Sequence, residues 1–286
     1  GCVPGAHDGL IGEFMLGVAI IQMESFQNWE YLVLNIAGML LLMGFAGYAA
    51  QHNRLNRYNT LLYITGIPLV FLFGARLFYM LFYANLSNPP VHLYDLKLYA
   101  FSLYGGLLMV VLYATAVAWF SRIPVWSWLD NHTPGLIGCA TLGKTGCFLN
   151  GCCFGTPTIM PWGIPYAPGS QAYNYYIVQA LDHLQQSWQV YSDRIHPVQL
   201  YESGIALIIL FLALYLLRKK ALPGLVFLLT AGLYSLARLG LFYLRANPET
   251  GTFLHFLPWL YLIIAGLSLG VLLIKIVEIR KSVLIE

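Results

Sequence analysis

Pro197-Val-Gln-Leu-Tyr-Glu-Ser-Gly-Ile-Ala-Leu-Ile-Ile-Leu-Phe-Leu-Ala-Leu-Tyr-Leu-Leu217 carries a single charged side chain, Glu202, and is closed by Arg218-Lys-Lys220. As a helix it rises about 31 Å at about 1.5 Å per residue, the thickness of a bilayer's hydrocarbon core. The rest of the chain reads the same way. Of its 286 residues 59% are hydrophobic and 9% charged, where a soluble domain carries about 25% charged residues. So few charges cannot dress that much apolar mass for water, and the chain is read as an integral membrane protein. Nucleic-acid binding is excluded on the same arithmetic, since 15 Lys and Arg face 12 Asp and Glu and form no long basic run. Five Cys at irregular spacing are too few for a disulfide framework. The chain opens at Gly1, and no signal peptide is read either way.

Apolar segments near 31–50, 59–83, 98–120, 197–217, 222–244 and 254–277 each suit a span, and a shorter, Gly-rich segment at 134–150 adds a seventh. With seven crossings, Arg54, Arg57, Arg122, Arg218, Lys219, Lys220, Lys275, Arg280 and Lys281 share one side, which the positive-inside rule makes cytoplasmic. Six spans would scatter these charges. The expected fold is therefore all-α, a single polytopic membrane domain over 1–286. Its N-terminus lies outside in a segment 1–30, its C-terminus in the cytoplasm, and a long outer loop runs over 151–196. Pro157, Pro161, Pro165 and Pro168 punctuate that loop, and its amphipathic, aromatic stretch 170–191 suits the membrane surface or the top of the bundle.

Arg76, Lys144 and Arg238 lie inside apolar segments, each in the outward half of its helix, and Glu202 sits about five residues inside its own. An intramembrane charge costs several kcal/mol unless paired or hydrated, so such groups face a cavity or one another. Two readings follow: ion pairs such as Glu202 with Arg76 or Arg238, or a net positive cavity suited to an anionic phospholipid headgroup. Lys97, Arg194 and Arg245 fall in or beside outer loops and read as interfacial. His196-Pro-Val-Gln-Leu-Tyr-Glu202 opens the fifth full-length segment, with Pro197 where its missing N–H costs nothing. His196 is either a solvated cap or a headgroup contact.

Within Pro134–Gly155, the small residues Gly135, Cys139, Gly143, Cys147 and Gly151 recur every fourth position, a stripe that lets another backbone approach closely. Cys147, Cys152 and Cys153 cluster near the outer face. They stand as inert packing, as a Cys147–Cys152 bridge, or as a reactive thiolate beside Lys144. A metal site ranks last among these readings, because Cys-x4-Cys-Cys matches none of the common ligand patterns and His196 is the only close candidate partner, and no metal ligand set is carried forward.

Taken in order, Gly74-Ala-Arg-Leu-Phe-Tyr79, Ser102-Leu-Tyr-Gly-Gly106, Gly143-Lys-Thr-Gly-Cys-Phe-Leu-Asn-Gly-Cys-Cys-Phe-Gly155, Trp162-Gly-Ile164, His196-Pro-Val-Gln-Leu-Tyr-Glu202, Arg238 in a Tyr-x3-Arg pattern, and Arg245 before Asn247-Pro-Glu resemble the prolipoprotein diacylglyceryl transferase family. The resemblance implies a bacterial inner-membrane protein of seven spans. It implies transfer of the diacylglyceryl unit of phosphatidylglycerol to the lipobox cysteine of a preprotein, with glycerol phosphate released and no cofactor. Carried over residue by residue, it implies that Lys144 and Arg238 hold the phosphate and that Tyr104 positions or helps deprotonate. Arg76, Asn150, Gly155, His196, Glu202 and Arg245 would bind substrate. Asn150, Gly155 and Arg238 keep the family's residues. Tyr104 stands where the family has His, Lys144 for Arg, Cys147 for Asn, Cys152 for Glu, and Phe242 for an acidic residue. Lysine holds a phosphate without arginine's planar fork, and a phenol with a pKa near 10 is a poor base at neutral pH. These departures motivate an alternative reading: a catalytically impaired scaffold that binds anionic phospholipid in a larger assembly with other membrane subunits.

Overall fold

The computed structural model describes residues 29–82, 101–166, 170–182, 194–246 and 256–285, which form eight helices. These are α1 (Trp29–His52), α2 (Arg57–Phe82), α3 (Leu103–Phe120), α4 (Val125–Leu149), α5 (Gln171–Asp182), α6 (Val198–Arg218), α7 (Leu225–Phe242) and α8 (Leu257–Ile285). All but α4 and α5 are long and apolar enough to cross a membrane. Strand pairing among the described residues is confined to isolated antiparallel bridges, Gly155 with Arg245 and Ile195 with both Pro157 and Ile164. The protein is an all-helical, multi-pass membrane protein, as its composition requires. The six long apolar segments of the sequence match six helices to within five residues at every end but the last, where α8 runs on to Ile285. The expected outer segment at 1–30 lies almost wholly outside the described residues, as do residues 84–97 with Lys97 and, within 151–196, residues 167–169 and 183–193.

The Gly-rich segment becomes the centre of the bundle. α4 packs on α1, α3, α6 and α7. It begins at Val125, nine residues before the expected start, and continues through Pro134. That proline deletes one ladder hydrogen bond without ending the helix. The added turn carries Asp130, Asn131, His132 and Thr133, all buried, and these polar residues are why the stretch does not read as a span. Asp130, His132 and Thr133 find partners inside the protein, Thr133 by donating to the Leu129 carbonyl at 2.9 Å. Asp130 accepts from the Gly224 and Phe227 backbone N–H groups at 2.6 and 2.8 Å, capping the N-terminus of α7 from a neighbouring helix. His132 Nδ1 meets the Trp128 carbonyl at 2.7 Å, which can only accept, so its Nε2 accepts from the Tyr63 hydroxyl at 2.5 Å.

The small-residue stripe does what its period promises. α1 lies so close to α4 that a Cβ added to Gly38 would stand 3.2 Å from the Cys139 Cα. Outward faces of the long helices present side chains such as Leu69, Phe120 and Ile208, all exposed, as a lipid-facing surface does.

The two ends of the bundle differ in character. At one end Leu55, Ile123 and Val125 join a single apolar cluster, and Lys275 reaches the Pro223 carbonyl at 2.9 Å while lying 4.7 Å from the Trp126 ring. The turns carrying Arg54, Arg122 and Lys220 therefore gather there. At the other end the bridges of Gly155, Pro157 and Ile164 tie the chain after α4 to the start of α6 and the end of α7.

Candidate functional site

Glu202 is the point where the helices meet. Its Oε2 lies 2.6 Å from Arg238 Nη1 and 3.1 Å from Lys144 Nζ, and its Oε1 accepts from the Tyr104 and Tyr234 hydroxyls at 2.9 and 3.0 Å. Arg238 Nη2 donates to the Tyr261 hydroxyl at 3.0 Å. Five helices, α3, α4, α6, α7 and α8, thus contribute to one buried polar cluster. Local sequence explains the convergence. Tyr234 and Arg238 are one helical turn apart on α7 and share a face. Next to the ion pair, Thr145 and Ser203 meet at 2.8 Å and Ser203 donates to the Thr141 carbonyl at 3.1 Å, which sets the register of α4 against α6 so that Lys144 faces Glu202.

Two cations share a single carboxylate, so the cluster carries a positive charge beyond what Glu202 neutralises. Aromatic faces spread part of it: the Arg238 guanidinium lies 4.6 Å from the Tyr104 ring centre and 5.5 Å from that of Tyr261, with Lys144 Nζ 5.7 Å from Tyr104. Arg238 Nε is buried and meets no acceptor among the described residues. A buried donor of that kind calls for an acceptor.

Beyond Lys144, α4 ends in a Schellman turn. Gly151, at φ +64, donates to the Phe148 carbonyl at 3.0 Å and Cys152 donates to the Cys147 carbonyl at 3.1 Å. That turn brings the side chains of its third-last helical residue and its second residue beyond the cap together, and here both are cysteines. Cys153 follows at φ +60, a conformation that costs a non-glycine residue about 1 kcal/mol or more. The three Sγ atoms lie within 4.8 Å of one another, and no disulfide joins them. Hydrogen bonds from Cys147 and Cys152, helped by the charges of Arg245 and Lys144, hold the Cys153 thiol well below its ordinary value despite burial. Gln199 donates to the Cys152 carbonyl at 2.7 Å and to Tyr166 at 3.1 Å, anchoring the turn to α6. Burial raises the Tyr166 phenol above its usual range.

Lys144, Arg238, Glu202 and Tyr104 are therefore brought together, and the ion pairs of Glu202 do not include Arg76. Arg76 is buried on α2, its guanidinium 5.5 Å from the Phe101 ring. Asn150 caps α4. Gly155 donates to the His196 carbonyl at 3.1 Å, and a Cβ there would fall on that carbonyl. The His196 ring meets the Tyr201 hydroxyl at 3.3 Å, and Arg245 is joined to Gly155 by backbone pairing. Tyr234 and Gln199 enter the sequence reading only as members of quoted motifs, with no role assigned, and Tyr261 does not enter it. The first has a legible signal, its position one turn before Arg238. Tyr261 has none, because only the docking of α8 against α7 places it.

The description of the family model that matches the chain is prolipoprotein diacylglyceryl transferase, over residues 18–279. Relatives named phosphatidylglycerol–prolipoprotein diacylglyceryl transferase include one from Clostridium tetani, 27% identical over 227 residues, covering 76% of this chain and 80% of the relative. Another, from Tropheryma whipplei, is 24% identical over 250 residues, covering 85% and 84%. A third, from Acaryochloris marina, is 28% identical over 238 residues, covering 81% and 80%. A match of that extent, over a chain whose motifs assemble into one buried cluster, means that the protein belongs to the prolipoprotein diacylglyceryl transferase family.

Proposed function

We propose that this protein transfers the diacylglyceryl group of phosphatidylglycerol to the lipobox cysteine of a preprolipoprotein, as a seven-span protein of a bacterial inner membrane with its C-terminus in the cytoplasm. Family membership supports the activity, and the observation that carries the site assignment is the Lys144–Glu202–Arg238 cluster, two buried cations on one carboxylate. α4 supplies the seventh crossing on this reading. Its 25 residues span about 36 Å, enough for a bilayer core of about 30 Å. The gathering of basic turns at one end of the bundle supports the orientation.

The reaction displaces glycerol phosphate from the glycerol carbon by the acceptor's thiol sulfur. Charge builds on the departing phosphate, so fixed cations in a water-poor site lower the barrier. Arg238, with its spare Nε–H, and Lys144 take the phosphate oxygens. Glu202 fixes both cations before substrate arrives, and Tyr104, hydrogen-bonded to Glu202 beneath the guanidinium, positions Arg238 and the headgroup. Asn150 and His196, on the outward side, are assigned to the headgroup, with Gly155 and Arg245 shaping its wall. Arg76 is assigned to a separate lipid contact on α2.

The test is transfer from labelled phosphatidylglycerol to a lipobox peptide by the purified protein in lipid vesicles. Transfer by the parent protein that is lost in Arg238→Ala and in Lys144→Ala supports the assignment. Full activity in either variant removes that residue from the phosphate site, and a parent protein that is inert while its relatives act refutes the transferase reading.

A further inference from the structure

We propose that Cys147, Cys152 and Cys153 form a three-thiolate zinc site whose open fourth position binds the thiol of the acceptor cysteine. The inference rests on the transferase reading for the identity of that fourth ligand, but not for the metal itself. Three observations carry it. The Sγ atoms already lie within 4.8 Å of one another. A tetrahedral zinc with Zn–S bonds of about 2.3 Å separates its sulfurs by about 3.8 Å, so closure needs a contraction of no more than about 1 Å. The thiols are held in that arrangement by backbone and not by chance packing: the Schellman turn presents Cys147 beside Cys152, and the positive φ of Cys153 turns the third thiol to them. A strained non-glycine residue beside a cluster of ligating side chains is where stored strain points to function. Finally, no fourth His, Cys, Asp or Glu among the described residues completes the set. Three protein ligands with one position open is the arrangement of catalytic rather than structural zinc.

The chemistry fits what the phosphate cluster lacks. Arg238 and Lys144 serve the leaving group, while Tyr104 is committed to Glu202 and offers no strong base to the nucleophile. Zinc removes that need, because a thiol that coordinates it gives up its proton. In the proposed step the acceptor's S–H displaces a zinc-bound water, and its proton passes to solvent. The zinc-bound thiolate then attacks the glycerol carbon: a C–S bond forms, the C–O bond to phosphate breaks, and the electron pair leaves with glycerol phosphate. The thioether product, a poor zinc ligand, dissociates. Nothing is oxidised or reduced. Cys147 lies three residues along α4 from Lys144, about 4.5 Å of rise and on the same side, so nucleophile and leaving-group sites are neighbours.

The experiment measures metal in the protein purified from membranes without chelator, then exchanges cobalt for zinc and records the thiolate-to-cobalt absorption before and after adding a lipobox peptide. Expected are about one zinc per chain, loss of it in C147S, C152S and C153S, retention in C139A, and a spectral change with the cysteine peptide but not its serine counterpart. Below about a tenth of an equivalent of zinc after reconstitution, copper in its place, a Cys147–Cys152 disulfide in the membrane-extracted protein, or zinc retained in all three serine variants would overturn the site. An unchanged cobalt spectrum on adding peptide would overturn its open position. If a serine variant fails to fold, the cobalt spectrum of the unmutated protein decides alone. Because these readouts need no turnover, a protein that binds zinc and the peptide thiol yet transfers no lipid would refute the transferase reading and leave the zinc site standing.

Discussion

Arg238 Nη1 lies 2.6 Å from Glu202 Oε2, and both side chains are buried. Breaking a buried pair by removing one partner leaves an uncompensated charge and costs about 3–5 kcal/mol. Here the loss is doubled in kind, since Lys144 depends on the same carboxylate. Glu202→Ala is therefore expected to lower the thermal unfolding temperature in detergent more than any other single change at the site. Glu202→Gln, which keeps acceptor capacity, should lie between it and the parent. Thermal unfolding followed by tryptophan fluorescence orders the three proteins.

Lys144→Arg tests whether charge alone or a two-donor fork serves the phosphate. A point charge holds phosphate less directionally than a planar guanidinium. The substitution is expected to preserve transfer and to lower the KM for phosphatidylglycerol, whereas Lys144→Met abolishes transfer. Initial rates against lipid concentration in vesicles separate the two.

Tyr261 accepts from Arg238 Nη2 at 3.0 Å. Tyr261→Phe leaves a buried guanidinium donor without its acceptor, a penalty of about 1–3 kcal/mol. Transfer should fall about ten- to a hundredfold, since about 1.4 kcal/mol is a factor of ten. Tyr234→Phe removes one of several donors to a carboxylate that keeps its ion pairs, and it should cost less. Comparing kcat/KM for the two variants checks the order.

Asp130 lies at the far end of α4 from the cluster and holds the start of α7 through the Gly224 and Phe227 amides. Asp130→Ala removes a capping carboxylate worth about 0.5–2 kcal/mol. It should lower thermal stability while leaving the KM for lipid unchanged. A changed KM with unchanged stability would show that this end of the bundle is coupled to the phosphate site.

Gly151 adopts φ +64 in the turn that aligns Cys147 with Cys152. Gly151→Ala must hold a left-handed conformation that disfavours a Cβ by about 1 kcal/mol. The turn should loosen, and the Cys152 and Cys153 thiols should react faster with a maleimide than in the parent, as measured by mass spectrometry of the labelled peptides.

Six long helices are legible in the sequence because a lipid-facing helix must be apolar along about twenty residues, and that demand is local. The Gly-x3-Cys stripe of α4 is legible for the same reason, since close helix approach selects small residues at a helical period. The convergence of Lys144, Glu202 and Arg238 is suggested by their common depth, because charges within apolar segments must find one another. Which cation pairs with which carboxylate is not written there: Arg76 has the depth of Arg238, yet Glu202 pairs with Arg238 and Lys144.

The first half of α4 escapes sequence reading altogether. Asp130, Asn131, His132 and Thr133 look like a loop, because their polarity is judged as though they faced lipid, whereas α1, α3, α6 and α7 surround this helix and protein groups answer its polar ones. The thiol cluster is the same kind of case. Linear spacing places four residues between Cys147 and Cys152, and only the Schellman turn, with Cys153 in its left-handed conformation, folds that distance into contact. Periodicity and hydropathy record what each residue needs from its solvent. Partnerships between residues on different helices depend on the order in which those helices pack, and that is decided by the tertiary structure.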